Sequence, residues 1–129
     1  MLQGRRLDTA DPNFLEFLRR TLGRSDDERL LGVFLDGADT FIGAEWLAIG
    51  VTAEVEMAFR PLITRILDLG ARGLVLAHNH PSGDPRPSAT DRQTTHRLQA
   101  LLRALDCSLR DHLIVGGRGC YSMARAGEL

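Results

Sequence analysis

The chain has 129 residues, 43% of them hydrophobic, and a formal net charge of -1. That length supports one core and is too short for two, so a single domain is expected, and near-neutrality argues against a protein that works mainly by wrapping nucleic acid. Every basic residue is an arginine, which removes Schiff-base lysine chemistry and the lysine of a phosphate-binding loop.

Two cysteines, Cys107 and Cys120, stand thirteen positions apart, in neither metal nor redox spacing. Nothing resembles a signal peptide or a membrane span. A cytoplasmic protein with no membrane partner is expected, its thiols free core residues rather than a disulfide.

Residues 1–10 are polar and arginine-rich and read as a frayed terminus or the remainder of an upstream segment. Asp11 and Pro12 open a helix, cap and first turn, and Phe14, Leu15, Leu18 and Leu22 recur at helical spacing until Gly23. Residues 1–25 thus form an N-terminal polar segment and helix ahead of a domain over 26–129. Glu28 heads the apolar, strand-length run Arg29 to Leu35, which Asp36-Gly37 ends, and the alternating segment Thr40 to Ile49 folds back on it as a hairpin.

From Thr52 the pattern turns helical, with Val55, Phe59, Leu62, Ile63, Ile66 and Leu67 on one face and Gly70 as the stop. Pro61 should kink this helix or move its start to about residue 60, because an interior proline costs about 3 kcal/mol. Gly73 to His78 is a buried strand. After a loop with three prolines, Ser88 to Leu105 forms a helix with Leu98, Leu101, Leu102 and Leu105 as its inner stripe, and Leu109 to Val115 and Tyr121 to Met123 are two final strands. These elements predict an α/β fold, a mixed sheet flanked by helices.

The chemistry concentrates between the buried strand and the helix that follows it. His78 and His80 are two apart and project to one side as the chain leaves the strand, with Asn79 pointing the other way. Counting back from Leu102 through Leu98 and Thr95 reaches Asp91, which places the aspartate on the inward face of the helix, one turn from its start. Two histidines and a carboxylate leave a fourth position open on a zinc ion, the arrangement of a catalytic rather than a structural site. A plainer account exists for each part: Ser88-Ala89-Thr90-Asp91 resembles a capping box, and two histidines can be satisfied by hydrogen bonds alone. Collecting all three side chains at one place without a metal or full pairing is costly, which favours the metal. His112 is equally consistent with an ordinary hydrogen-bonded pair with Asp111 and with a role in the site, and His96 is expected to face solvent. The string His-Asn-His does not indicate an HNH nuclease, in which the named residues are scattered over two strands and a helix.

The sequence His78-Asn79-His80-Pro81-Ser82-Gly83, then Pro87-Ser88, Asp91 and Thr95, followed by Asp111-His112-Leu113-Ile114-Val115-Gly116, resembles the RadC branch of the JAB/MPN (JAMM) metalloprotease superfamily. The superfamily pattern is His-x-His, seven residues, Ser, two residues, Asp, with a distant upstream Glu, and the spacing here fits it throughout. The resemblance runs from about Glu28 to the C-terminus. It implies a cytidine-deaminase-like JAB architecture and zinc bound by His78, His80 and Asp91, with Ser88 near the oxyanion and an upstream glutamate as general acid/base. By its place at the head of the strand ending Phe34-Leu35-Asp36, that glutamate is Glu28; Glu45, Glu54 and Glu56 are rivals. Glu56-Met57 stands where the family usually has Arg-Glu, and a short helix stands where members often carry a helix-hairpin-helix segment.

The function implied is zinc-dependent cleavage of a peptide or isopeptide bond through a metal-activated water, acting on a protein or peptide substrate, with DNA or DNA-repair proteins as further partners. Two alternatives belong to other classes. One is a metal-dependent nuclease or DNA-processing factor, suggested by Arg86, Arg92 and Arg97 near the site. The other is a non-catalytic interaction module that keeps zinc for stability.

Overall fold

Runs rich in Leu, Val and Ile alternate with amphipathic stretches along the chain, and the computed structural model shows how they assemble. It describes residues 3–23, 26–51, 59–117 and 119–129, with backbone alone at 49–51. In order, the elements are α1 (Pro12–Leu22), β1 (Glu28–Leu35), β2 (Phe41–Val51), α2 (Phe59–Leu69), β3 (Gly73–Asn79), α3 (Ala89–Arg103), β4 (Ser108–Gly116) and β5 (Gly119–Ser122). The five strands form one sheet in the order β2-β1-β3-β4-β5. Pairing is antiparallel except between β3 and β4, which run parallel because α3 carries the chain back across the sheet. This is the α/β class read from the pattern, a mixed sheet flanked by three helices among the described residues.

Both faces of the sheet are covered, so β3 at its centre is buried at all seven residues, consistent with its unbroken apolar run. On one face Phe14, Leu18 and Leu22 of α1 pack with Leu31, Val33, Val75 and Leu113. On the other, Leu62 and Ile66 of α2 and Leu98 and Leu102 of α3 pack with Phe34, Leu74 and Leu76. The α3 stripe is narrower than expected: Thr95, Leu98 and Leu102 are buried, while Leu101 and Leu105 lie at the margin, half-buried. Each helix covers the sheet with one edge of its apolar stripe, leaving the flanking leucines to the rim.

Local signals behave as their chemistry dictates. Asp11 caps α1 by accepting from the Asn13 N–H at 2.9 Å, with Pro12 at the first helical position. Asp36 accepts from the N–H groups of Ala38 and Thr40, both at 2.9 Å, and so closes the β1–β2 turn. Pro61 lies within α2, two residues after Phe59, where the described part of that helix begins, so the expected effect of the proline on the helix start falls outside the described residues. The earlier part of the expected helix, from Thr52, lies outside the described residues together with Val55, Glu54 and Glu56. Within the segment expected to fray, the described residues Arg5 to Leu7 are held instead: the Leu7 N–H donates to the Asp39 carbonyl at 2.7 Å and the Phe41 N–H to the Arg5 carbonyl at 2.8 Å, so they pair with the start of β2. Their unpaired main-chain groups find partners on an edge strand, which polarity of side chains does not reveal. Cys107 is buried and Cys120 half-buried, and both are free.

One close approach fixes the loop after β3. The His80 N–H donates to the Val115 carbonyl at 2.9 Å and the Gly83 N–H to the His80 carbonyl at 2.9 Å, with Gly83 at φ +92°. The loop therefore lies flat on the end of β4, where Gly116 has no side chain: a Cβ there would meet the Gly83 carbonyl and would stand 2.9 Å from the Pro85 nitrogen. Gly116→Ala is expected to cost about 2 kcal/mol or more through this backbone collision, read as a lower urea midpoint. An unchanged midpoint would show that the loop is not seated as described.

Candidate metal centre

Strand register does the first part of the work. The antiparallel pairing of β1 with β3 sets Leu30 opposite His78, and side chains alternate faces along each strand. Two residues before Leu30 on β1 and two after His78, just past the end of β3, Glu28 and His80 fall on the same side as His78. Because β3 and β4 are parallel, the carboxyl ends of both strands open at this edge, beside the start of α3, where ligands bind in open α/β sheets.

The second part comes from α3. Ser88 is its N-cap: its Oγ accepts from the Asp91 N–H at 3.0 Å, and Asp91 Oδ2 accepts in return from the Ser88 N–H at 2.8 Å. The capping box and the site are therefore one structure. The cap immobilises the Asp91 carboxylate and turns it toward the histidines.

One ligand atom each from Glu28, His78, His80 and Asp91 comes together, all within 4.8 Å of one another, so these four could hold a metal ion. The two imidazole Nε2 atoms are 2.9 Å apart. Asp91 Oδ1 lies 3.4 Å from His78 Nε2 and Oδ2 3.1 Å from His80 Nε2, while Glu28 Oε1 stands slightly farther off, at 3.6 and 3.8 Å. Donors held 2.0–2.1 Å from a tetrahedral zinc sit about 3.3 Å apart, and the observed separations bracket that spacing. Without a cation or a shared proton, two imidazole lone pairs and two carboxylates at these distances repel one another.

The surroundings fix orientation. The Nδ1 of His80 lies 2.9 Å from the Asp84 carbonyl and donates to it, which leaves Nε2 facing the cluster. Asp84 in turn holds Arg86 in a fork, with contacts of 2.7 to 3.1 Å, and the guanidinium lowers its carboxyl pKa to about 2. Asn79, which points away from the histidines, accepts from the Arg29 N–H through Oδ1 at 2.7 Å and donates through Nδ2 to the Asp27 carbonyl at 2.9 Å. It grips the main chain on both sides of Glu28, so the middle residue of His-Asn-His aims the glutamate. His112 is buried behind His78, with its Nε2 2.7 Å from His78 Nδ1 and its Nδ1 2.7 Å from Thr95 Oγ1.

Charge states follow from burial and these bonds. Burial pushes Glu28 above the ordinary carboxylate range, opposed by the nearby imidazoles of His78 and His80. Burial acts on Asp91 in the same sense, but the neighbouring imidazoles of His78 and His80 and the hydrogen bond from the Ser88 N–H outweigh it and hold the group well below the usual range. The bond to Asp91 raises His80, against burial. Burial drives His112 well below its ordinary value, so it is neutral.

The residues singled out from sequence are thus placed as follows. His78, His80, Asp91 and Glu28 converge, and Ser88 adjoins them as the cap. Glu45 does not join the cluster; exposed on β2, it faces Arg65 of α2 at 3.4 Å. Asp111 and His112 do not pair through their side chains: Asp111 accepts from the His112 main-chain N–H, from Ser122 Oγ and from the Ala124 N–H, tying the C-terminal segment to β4. His96 is exposed, with its Nε2 near the Glu128 carbonyl. Sequence reading missed Asn79 and the Thr95–His112 pair. The alternation that put Asn79 on the far side of the strand was the available signal for the first.

Asn79→Ala deprives the Arg29 N–H and the Asp27 carbonyl of this partner and is expected to destabilise the chain by about 1–3 kcal/mol in urea unfolding. A loss below a few tenths of a kcal/mol would mean that the clamp on Glu28 is not made in solution.

Similarity to known proteins agrees with the geometry. The family described as the RadC-like JAB domain matches residues 9–128. The chain is 38% identical over 126 residues to a UPF0758 protein of Paraburkholderia phytofirmans, covering 98% of this chain and 49% of that one. It is 39% identical over 114 residues to the UPF0758 protein YkfG of Escherichia coli K12, covering 88% of this chain and 72% of that one, and 37% identical over the same length to YfjY of that strain. The chain spans about half the length of the Paraburkholderia relative. With a strand-end histidine pair, a capping aspartate and a family match running nearly end to end, the chain belongs to the RadC-like JAB domain family.

Proposed function

We propose that this chain is a zinc-dependent hydrolase of peptide or isopeptide bonds, with His78, His80 and Asp91 holding the metal and Glu28 as general acid/base. The observation that carries the proposal is the convergence of one ligand atom each from Glu28, His78, His80 and Asp91, the last three held by hydrogen bonds of their own. Two imidazoles and a carboxylate suit zinc with an open corner. When bound, zinc supplies a Lewis acid that polarises a carbonyl and brings the pKa of water toward about 7.

The chain's own groups supply the rest. Glu28, farther from the imidazoles than Asp91 and raised by burial, is suited to take a proton from water and return it to the leaving amine. Ser88 Oγ uses a lone pair for the Asp91 N–H, which leaves its own hydrogen to donate to a developing oxyanion. The substrate proposed is a protein or peptide. The arginines that suggested a nuclease are engaged elsewhere: Arg86 with Asp84, Arg92 with Glu128 and the Pro87 carbonyl, and Arg97 over the Phe59 ring. Among the described residues no helix is long and apolar enough to cross a membrane.

Glu28→Gln is expected to keep zinc and lose about 10²–10⁴-fold in peptide hydrolysis, whereas His80→Ala loses the metal; metal analysis beside a peptide-cleavage assay reads both. Equal metal loss in the two variants would contradict the division of roles. Turnover by Glu28→Gln at the wild-type rate would remove the acid/base assignment, whereas a wild-type chain that binds zinc and shows no turnover would favour the zinc-stabilised module.

The raised His80 group gives a pH dependence with a definite sign. Below its pKa, Nε2 carries a proton that the metal must displace, so zinc affinity falls as pH drops through that value and levels off above it. Proton release on adding zinc in weakly buffered solution, larger at lower pH, is the expected signal; pH-independent affinity between pH 5 and pH 8 would contradict it.

A further inference from the structure

We infer that Thr95 and His112 form a directional hydrogen-bond relay that orients His78 and fixes which of its nitrogens faces the metal. Resting on the metal reading above, the inference adds two positioning residues that contact no ligand atom of the cluster.

The relay can be followed proton by proton from a group whose role is not negotiable. The Asp91 main-chain carbonyl only accepts, and Thr95 Oγ1 lies 2.6 Å from it, so the single hydroxyl hydrogen of Thr95 points there. Toward His112 Nδ1, 2.7 Å away, the same oxygen can then only accept, so Nδ1 carries the proton of neutral His112. Its Nε2 is left as a lone pair facing His78 Nδ1 at 2.7 Å, and His78 must donate. That donation leaves His78 Nε2 bare and aimed at His80, Asp91 and Glu28. The main chain of α3 thereby sets the tautomer of a side chain on β3. Asp91 contributes twice, its carboxylate to the cluster and its carbonyl to the start of the relay.

Burial makes the arrangement stiff. Thr95 is fully buried and His78 and His112 are each 4% exposed, so water does not readily replace a missing partner. Polar groups oriented in this way behind a metal-ligating histidine set its ring angle and basicity, and losing them costs about 10–100-fold in metal affinity.

The test uses the full chain freed of metal with a chelator, with zinc titrated against a chelating dye and cobalt(II) absorption reporting coordination. Thr95→Val keeps the shape and removes the hydroxyl, and His112→Phe removes the acceptor; both are expected to bind zinc at least ten-fold more weakly and to shift the cobalt bands. Thr95→Ser restores the hydroxyl, and His112→Gln offers His78 a carbonyl acceptor; both should return most of the affinity. Melting of the metal-free variants checks folding, and should His112→Phe fail to fold, the Thr95→Val and Thr95→Ser pair decides alone. Wild-type affinity and cobalt spectrum in Thr95→Val overturn the relay while leaving the metal reading intact. A wild-type chain that takes up no zinc overturns the metal reading and the relay with it.

Discussion

The register of β1 against β3 decides which side chains can meet. With Leu30 opposite His78, the period of two along each strand brings Glu28, His78 and His80 to one side. A slip of one residue would send Glu28 to the α1 face and leave the histidines facing Leu30's neighbours instead. The register is held by burial, since Leu31, Val33 and Leu35 fit under α1 while Phe34 fits under α2 and α3. It is held again at the site itself by Asn79, whose amide binds main chain on both sides of Glu28. Core packing and site geometry are therefore not separable here: the contacts that bury the sheet also aim the glutamate.

The helix that returns the chain from β3 to β4 contributes in the same economical way. Its N-cap is what any helix start requires, a hydroxyl for an unpaired N–H and a carboxylate for another. In this chain the carboxylate of the box is also the one facing two imidazoles. Each member of the cluster has a partner behind it: Asp84 for His80, His112 for His78, Ser88 for Asp91 and Asn79 for the segment around Glu28. Burying so many polar groups is tolerable only when all are paired, and paired groups have little freedom. That restriction gives the site its rigidity.

Much of this was legible in the sequence, for identifiable reasons. Helical spacing in Phe14, Leu18 and Leu22, the unbroken apolar run of β3 and the cap at Ser88 each state a local requirement that tertiary packing did not override. The spacing of His78, His80, Ser88 and Asp91 named three ligands and the cap, while the need for an upstream glutamate came from the family resemblance and its place at a strand head picked out Glu28. The rest depends on contacts far apart in the chain. Arg29 and Asn79 are fifty residues apart, Thr95 and His112 seventeen, and no periodicity links either pair. The pairing of residues 4–7 with the start of β2 was hidden because main-chain groups carry that contact and side-chain composition does not record it.

What the account requires above all is a single cation at the meeting point of β1, β3 and α3. X-ray absorption at the zinc edge of the metal-loaded chain tests this most directly. One ion per chain is expected, with imidazole scattering from two histidines and a shell of nitrogen and oxygen at about 2.0–2.1 Å. A sulfur shell near 2.3 Å, or the absence of histidine scattering, would place the metal elsewhere and contradict the account.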